Sequence, residues 1–247
     1  MSSFAVTLAA WWKSTQLTGV TAVFFLKGVV ETVLLIGGAM SVGLALGTVL
    51  AALQVYGPAW SRRLVALYVW FFRGIPVLLL ILMVHFGFYS QIQAWINDLF
   101  QARVRFPAFL SAVTALGLCS AAYQSQIFRG ALLAIPAGQF RAALALGFTP
   151  AGAVRGLIMP QALRLSLPAW SNEYSILLKD SAVAFTIGCQ ELMFRFKSVA
   201  ATNYKFLLMF ALAGLAYYAL TLAGVGLLMK LHRKVSIPGL AAEAEAH

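Results

Sequence analysis

The chain of 247 residues is 62% hydrophobic and only 10% charged, with a mean hydropathy of +0.86. Soluble domains average about a quarter charged residues, so the composition excludes an ordinary soluble domain and indicates a membrane protein with several spans. The formal net charge of +11 comes from basic residues that mostly flank apolar stretches, so we expect contacts with lipid headgroups rather than with nucleic acid.

The first 25 residues are interpreted as an interfacial segment. No basic residue precedes the first apolar stretch, and Lys13 follows Trp11 and Trp12, which argues against a signal peptide. Tryptophan is enriched at membrane–water interfaces, so we expect both rings at the level of the headgroups.

The first predicted span covers residues 28–53 and is interrupted only by Glu31. Its length suffices for a helix that crosses the bilayer, which needs about 20 apolar residues. Ala39, Gly43 and Gly47 recur at intervals of four residues. This repeat of small residues predicts that another helix approaches closely along that face.

The second predicted span, residues 64–88, contains Arg73 and Pro76. Proline lacks a backbone N–H, so a carbonyl near Phe72 loses its helical partner there. A membrane tolerates such a break where protein or water satisfies the freed group. Residues 89–107 are predicted to form a polar loop.

The rest of the chain alternates between apolar and polar stretches. A third span is predicted at residues 108–133, and a fourth segment at residues 157–188 is interrupted by two prolines. A polar loop, residues 189–205, then precedes a fifth span at residues 206–229. We therefore expect an all-α fold with five spans.

Residues 136–160 lie between two apolar segments and are too few and too polar to cross a bilayer. Pro136 favours the start of a helix, and Gly147 favours its end in a left-handed conformation. Thr149 and Pro150 form an N-cap followed by a first helical residue. We predict a short helix, a turn and a second helix at the membrane surface, suited to docking into a partner's groove.

This stretch resembles the cytoplasmic loop of ABC importer permeases, whose motif is EAA-x3-G-x9-I-x-L-P. Arg141-Ala142-Ala143 is followed by Gly147 and, at the full spacing of the motif, by Pro160. Arg141 replaces the leading glutamate of the family. The flanking sequences are similar to those of polar amino-acid permeases, and they include Phe128-Arg129-Gly130, Gly138-Gln139 and Lys179-Asp180-Ser181.

The resemblance implies a type I ABC importer permease fold, with five transmembrane helices and a cytoplasmic coupling helix. In this family the coupling helix sits in a cleft of the ATPase subunit. The residues that the resemblance assigns to this contact are Gln139, Arg141, Ala142, Ala143, Gly147 and Pro160. With this loop inside the cell, five spans place the N-terminus outside.

The resemblance also implies the partners and the location. They are ABC ATPase subunits, a second permease subunit, an extracytoplasmic substrate-binding protein and a bacterial inner membrane. We expect the second permease to be a different chain, because a homodimer would place Arg141 at both ATPase contacts. The chain lacks a G-x4-GK[ST] phosphate-binding loop, so ATP and Mg are expected on the partner ATPase and no cofactor on this chain. No motif for a catalytic or metal site is present in the sequence.

Charged residues inside apolar spans are costly and are functional candidates. The candidates for a substrate path are Arg73, Asn172, Glu173 and Lys179. A zwitterionic amino acid needs a cation for its carboxylate and an anion for its ammonium group. Asn172 and Lys179 are about two helical turns apart and share one face, whereas Glu173 lies at the side. The structural alternative is that the charges pair with each other inside the bundle.

The sequence therefore favours a permease subunit of an ATP-driven importer for a polar amino acid. Residues 26–234 would form the permease domain and residues 235–247 a C-terminal tail. Two alternatives stay open. The first is a secondary transporter or channel, which needs no ATPase. The second is a scaffold permease without its own substrate site, favoured by Leu80, Gln126 and Arg141, which replace polar or acidic residues common in the subfamily.

Overall fold

The computed structural model describes residues 19–100 and 106–235, and every regular element in these ranges is helical. The prediction of an all-α fold is confirmed for this part of the chain. In chain order the helices are α1 (Gly19–Tyr56), α2 (Ala59–Gly74), α3 (Val77–Leu82), α4 (Ser90–Phe100), α5 (Ala108–Ala134), α6 (Ala137–Ala145), α7 (Pro150–Ala153), α8 (Met159–Leu165), α9 (Leu167–Ser181), α10 (Leu192–Asn203) and α11 (Phe206–Val235). Two π-helical segments, Met83–Tyr89 and Val154–Ile158, join α3 to α4 and α7 to α8, and a 3-10 segment, Ala182–Ile187, follows α9.

Four helical stretches in the described residues are long and apolar enough to span a membrane. They are Ala22–Tyr56, Val77–Phe100, Ala108–Ala134 and Phe206–Val235. Together they make the chain a multi-spanning membrane protein. The predicted fourth segment, residues 157–188, is not among them; it is divided into several helical segments. The count of five spans therefore stays a prediction.

The first span is longer than predicted. α1 begins at Gly19, well before the expected start at residue 28, and continues to Tyr56. The interfacial tryptophans expected near the N-terminus fall in residues 1–18, which lie outside the described residues, as does the tail from residue 236 onward.

The predicted second span, residues 64–88, is wrong in its boundaries. α2 ends at Gly74, and Ile75 is extended (φ −94°, ψ 130°) because the residue before a proline is pushed out of the helical region. The helix that resumes at Val77 runs to Phe100, so the predicted loop at residues 89–107 is helical in its first part. The chain therefore makes a break, followed by a span displaced toward the C-terminus.

The break at Pro76 frees one backbone carbonyl, as the sequence predicted, and the fold satisfies it. The Cys119 thiol on α5 donates to the carbonyl oxygen of Phe72 at 3.6 Å. Nearby, the Tyr68 hydroxyl donates to the carbonyl oxygen of Leu118 at 2.7 Å. Two contacts from α5 thus hold the end of α2 where its own hydrogen-bond ladder is interrupted.

The predicted polar loop at residues 189–205 is also wrong, since most of it forms α10. Glu191 caps this helix by accepting hydrogen bonds from the backbone N–H groups of Met193 at 2.7 Å and Phe194 at 2.8 Å. The Tyr217 hydroxyl of α11 donates to the same carboxylate. A glutamate is not among the usual N-cap residues, so the helix start carried no clear local signal.

The predicted close approach along the small-residue repeat is confirmed. Ala39, Gly43 and Gly47 of α1 are buried against α5. A Cβ atom at Gly43 would collide with the Gln124 side chain, and one at Gly47 would lie 3.3 Å from the carbonyl oxygen of Ala121. The absence of side chains here lets the two backbones pack directly, which is how helices in a membrane gain van der Waals contact.

Candidate functional site

One face of α6 is anchored to the membrane-spanning helices. The Phe140 ring packs on Tyr56 at the end of α1, with 4.9 Å between ring centroids. Ala143, three residues further along, is buried. The Gln161 side-chain amide on α8 donates to the Gln139 side-chain oxygen at 2.9 Å. These contacts fix the short helix against the rest of the bundle.

The C-terminal end of α6 has the geometry predicted for it. Gly147 has φ +89°, a left-handed conformation that glycine adopts without strain. Its N–H donates to the carbonyl of Leu144 at 3.0 Å, and the N–H of Phe148 donates to that of Ala143 at 3.1 Å. This pair of bonds is a Schellman motif, which satisfies carbonyls that a helix end leaves free.

The following helix also begins as predicted. The Thr149 hydroxyl accepts a hydrogen bond from the N–H of Gly152 at 3.1 Å, and Pro150 occupies the first helical position. Residues 136–160 therefore form a helix, a turn and a second helical segment whose limits are set by their own sequence.

The other face of this helix–turn–helix is open. Leu146 is 80% exposed and Phe148 is 52% exposed, although both are large and apolar. They border a cavity of about 440 Å³ that is also lined by Gln139, Ala142 and Leu157. Exposed apolar side chains around a concavity are typical of a protein interaction site.

The remaining motif residues differ in their exposure. Arg141, Ala142 and Pro160 are exposed, whereas Ala143 is buried and, like Ala142, borders the cavity. The candidate set is thus divided: Ala143 and Gly147 shape the helix, and Arg141 and Ala142 are available to a partner.

The substrate-path candidates occupy two different environments on α9. Asn172 and Lys179 are both exposed, as expected for residues on one face. Glu173 is buried, with 3% of its surface exposed, and accepts a hydrogen bond from the Ser120 hydroxyl of α5 at 2.7 Å.

Arg73 lies at the break between α2 and α3 and is exposed. Its guanidinium group is 4.8 Å from the centre of the Tyr123 ring, a cation–π contact. Arg73 and Asp180 both interact electrostatically with Glu173. The structure therefore places Arg73 near Glu173, whereas Asn172 and Lys179 are exposed residues of α9.

Gln124, which the sequence analysis did not select, lies at the centre of a buried polar network. Its side-chain amide donates to the carbonyl of Met40 at 3.3 Å and to the Ser120 hydroxyl at 3.0 Å. The Trp170 indole N–H donates to the Gln124 side-chain oxygen at 2.8 Å. Through Ser120 the network reaches Glu173, so α1, α5 and α9 share it. The sequence feature that could have identified this network is a glutamine inside an apolar span, four residues after a serine.

Among the described residues, no three His, Cys, Asp or Glu side chains are grouped so that they could hold a metal ion. Cys119 and Cys189 are free and buried, and Cys119 acts as the hydrogen-bond donor at the Pro76 break.

Residues 43–237 match the family described as the binding-protein-dependent transport system inner membrane component. The chain belongs to this family. As a permease of ABC transport systems, it carries at residues 141–160 the motif that the sequence resemblance identified, and that resemblance is confirmed.

Relatives of known role are similar over nearly the whole permease. The arginine ABC transporter permease protein ArtM of Haemophilus influenzae is 34% identical over 85% of this chain and 91% of its own. The histidine/lysine/arginine/ornithine transport system permease protein HisM of Salmonella typhimurium is 30% identical over 91% of both chains. A chain from the crystal structure of an amino acid ABC transporter with histidines superposes with a TM-score of 0.70 at 29% identity, covering 87% of the permease and 95% of that chain.

Proposed function

We propose that this permease is a subunit of an ATP-driven importer for a polar amino acid or a close analogue, in a bacterial inner membrane. The observation that carries the proposal is the similarity, over most of both chains, to permeases named for amino-acid transport. An extracytoplasmic binding protein would deliver the substrate, and a second permease subunit would complete the pathway.

The charges along α2 and α9 support a zwitterionic substrate. Lys179 offers an exposed cation on the face of α9 that also carries Asn172, two helical turns away, and Arg73 offers a second cation at the Pro76 break. Glu173 offers an anion behind this face, held by Ser120. A cation for a carboxylate and an anion for an ammonium group are the pair that a free amino acid requires.

A fifth crossing by α9 and the 3-10 segment after it is consistent with their combined length. α9 has 15 residues and the 3-10 segment has 6 residues. At about 1.5 Å and about 2.0 Å per residue they extend roughly 34 Å, against a hydrocarbon core of about 30 Å. The charged residues of α9 lower its hydropathy, and we infer that they face the pathway or the bundle rather than lipid.

Residues 136–160 would couple this pathway to ATP hydrolysis on separate ATPase subunits, which would bind ATP and Mg. The exposed Leu146 and Phe148 and the cavity beside them support insertion into a partner's cleft. The alternative of a secondary transporter or channel, which would need no ATPase, is set aside because the chain belongs to a family of ABC transport permeases.

The test is uptake into proteoliposomes that contain the permease with its ATPase and second permease, supplied with the binding protein and ATP. We expect saturable accumulation of one radiolabelled amino acid, reduced by chemically related competitors. A complex whose ATPase binds but does not hydrolyse ATP is the control and should not accumulate substrate. Accumulation that is competed by sugars or phosphate rather than by any amino acid would contradict the proposed substrate class.

A further inference from the structure

An apolar groove of about 390 Å³ lies between α1, α9 and α11. Ile36 and Gly37 of α1 form one wall, Tyr174 of α9 forms the floor, and Leu220 and Leu227 of α11 line the opposite wall. α1 and α11 are both long and apolar enough to span a membrane, so a groove between them lies at the depth of the bilayer core.

The groove offers its occupant no hydrogen bonds from the two polar aromatic residues in its lining. The Tyr174 hydroxyl donates to the carbonyl of Leu220 at 3.0 Å, and the Trp170 indole N–H donates to Gln124 at 2.8 Å. With both polar atoms already paired, the lining selects a hydrocarbon rather than a polar substrate. Leu227 is 69% exposed at the edge of the groove, so entry from the side is open.

Two lysines follow the C-terminal end of the groove on α11. Lys230 and Lys234 follow Leu227 on α11 by three and seven positions, so they continue its face of the helix toward the C-terminal end. Both lysines are exposed. In the proposed topology this end lies at the cytoplasmic surface, where anionic lipid headgroups attract basic residues.

We propose that this groove binds one acyl chain of an anionic phospholipid, whose phosphate group lies against Lys230 and Lys234. The lined part of α11, from Leu220 to Leu228, is about 12 Å long, enough to hold a substantial part of an acyl chain along the helix. An apolar groove at membrane depth and a cationic end at headgroup depth match the two ends of one lipid molecule.

Gly37→Leu tests the apolar part of the site. A Cβ atom at Gly37 has nothing within 4 Å, so a larger side chain enters the groove without disturbing the fold. Gly226→Leu is the matched control, because Gly226 on α11 also has open space and does not line the groove. Native mass spectrometry of the intact transporter complex, exchanged into mixed phosphatidylglycerol and phosphatidylethanolamine, counts the lipids retained per complex.

We expect the wild type and Gly226→Leu to retain phosphatidylglycerol and Gly37→Leu to lose most of it. Equal retention by all three proteins would overturn the proposal.

The double variant Lys230→Gln/Lys234→Gln tests the cationic end of the site. Its preference for phosphatidylglycerol over phosphatidylethanolamine should fall by about fivefold for each lysine removed. Arg62→Gln/Arg63→Gln, which removes two exposed cations away from the groove, should keep that preference. If both double variants keep it, the lysines do not bind the headgroup and the proposal fails.

A photo-crosslinking amino acid at Ala223, which also lines the groove, identifies the occupant directly. An adduct with the mass of a phospholipid supports the proposal. An adduct to a second permease chain, or to residues 1–18 of this chain, would show that protein fills the groove and would overturn it.

Discussion

Neighbouring residues of α9 experience opposite environments. Lys179 and Asn172 are exposed on one face, whereas Glu173 is buried against α5 and held by Ser120. Removing an exposed charge disturbs the bundle less than removing a buried one, whose partner is left unpaired away from water. Substitutions at these positions should therefore separate transport from stability.

The first prediction concerns Lys179→Met. If Lys179 binds the substrate carboxylate, losing a charge-assisted hydrogen bond of about 1.5–3 kcal/mol should raise the apparent KM for uptake roughly tenfold to hundredfold. Basal ATPase activity and the melting temperature of the complex should stay unchanged, since the side chain is exposed. Uptake assays and thermal denaturation measure the two effects.

Lys179→Arg is the control, because it keeps the positive charge and should retain more uptake than Lys179→Met. An unchanged KM together with loss of assembled complex would instead show that Lys179 has a structural role.

The second prediction concerns Gln124→Ala. Gln124 is fully buried, and its loss leaves the Trp170 indole N–H without its partner and removes the side-chain bonds to Met40 and Ser120. Each unsatisfied buried group costs about 1–3 kcal/mol. We expect a clearly lower melting temperature of the purified complex. Gln126→Ala is the comparison, since Gln126 is only half-buried; an equal loss of stability in both variants would contradict the special position of Gln124.

At the scale of elements, α6 is a short helix whose two faces have different tasks. Phe140 and Ala143 attach it to the bundle, and Leu146 and Phe148, in the turn that follows it, are exposed. The Schellman turn at Gly147 separates the attached helix from the outward aromatic ring. The geometry of this turn therefore sets what a docking partner meets.

The third prediction is that Gly147→Asp blocks ATP-driven uptake without removing the protein from the membrane. Gly147 has φ +89°, which an L-residue adopts with strain, and the new carboxylate would enter an apolar docking surface. Membrane content by immunoblot, uptake and substrate-stimulated ATPase activity are the measurements. Gly147→Asn places a neutral side chain at the same φ and separates strain from charge. Normal uptake with normal ATPase stimulation in Gly147→Asp would contradict the docking role.

At the scale of the whole molecule, the position of residues 136–160 relative to the membrane depends on the number of spans. Four long apolar helices are present in the described residues, and α9 with its 3-10 extension is the proposed fifth crossing. An odd number of crossings places the two ends of the spanning region on opposite sides, so labelling from one side tests the count.

The fourth prediction is that a cysteine at Ala151 is protected from a membrane-impermeant thiol reagent in intact cells. Ala151 is exposed in α7, so it should react once the cytoplasmic side is accessible, as in inverted vesicles. A cysteine at Tyr204, exposed between α10 and α11, should show the opposite pattern. Ready labelling of Ala151→Cys from outside would refute the five-span topology.

The fifth prediction concerns assembly with a different permease chain. Arg141 is exposed and stands where the family motif has glutamate, so a homodimer would present two arginines to the ATPases. We expect affinity purification of this chain from native membranes to retain a second permease. A complex that contains only this permease and transports at full rate would refute the prediction.

Much of the fold could be predicted from short-range patterns. Composition alone indicates the membrane class, and the limits of α6 and α7 follow from Gly147 and Thr149 because a helix end is decided by the few residues around it. The repeat of small residues at Ala39, Gly43 and Gly47 likewise predicted a close helix contact, because small residues let two helix backbones approach each other.

Tertiary structure alone decided which contacts those helices make. The carbonyl freed by Pro76 is satisfied by Cys119 on another helix, and the network around Gln124 joins three helices that are distant in sequence. Periodicity shows which residues of α9 share a face, but it does not show that Glu173 meets Ser120 while Lys179 stays exposed. The physical reason is that hydrogen bonds and grooves between helices depend on how the helices pack, which local sequence does not encode.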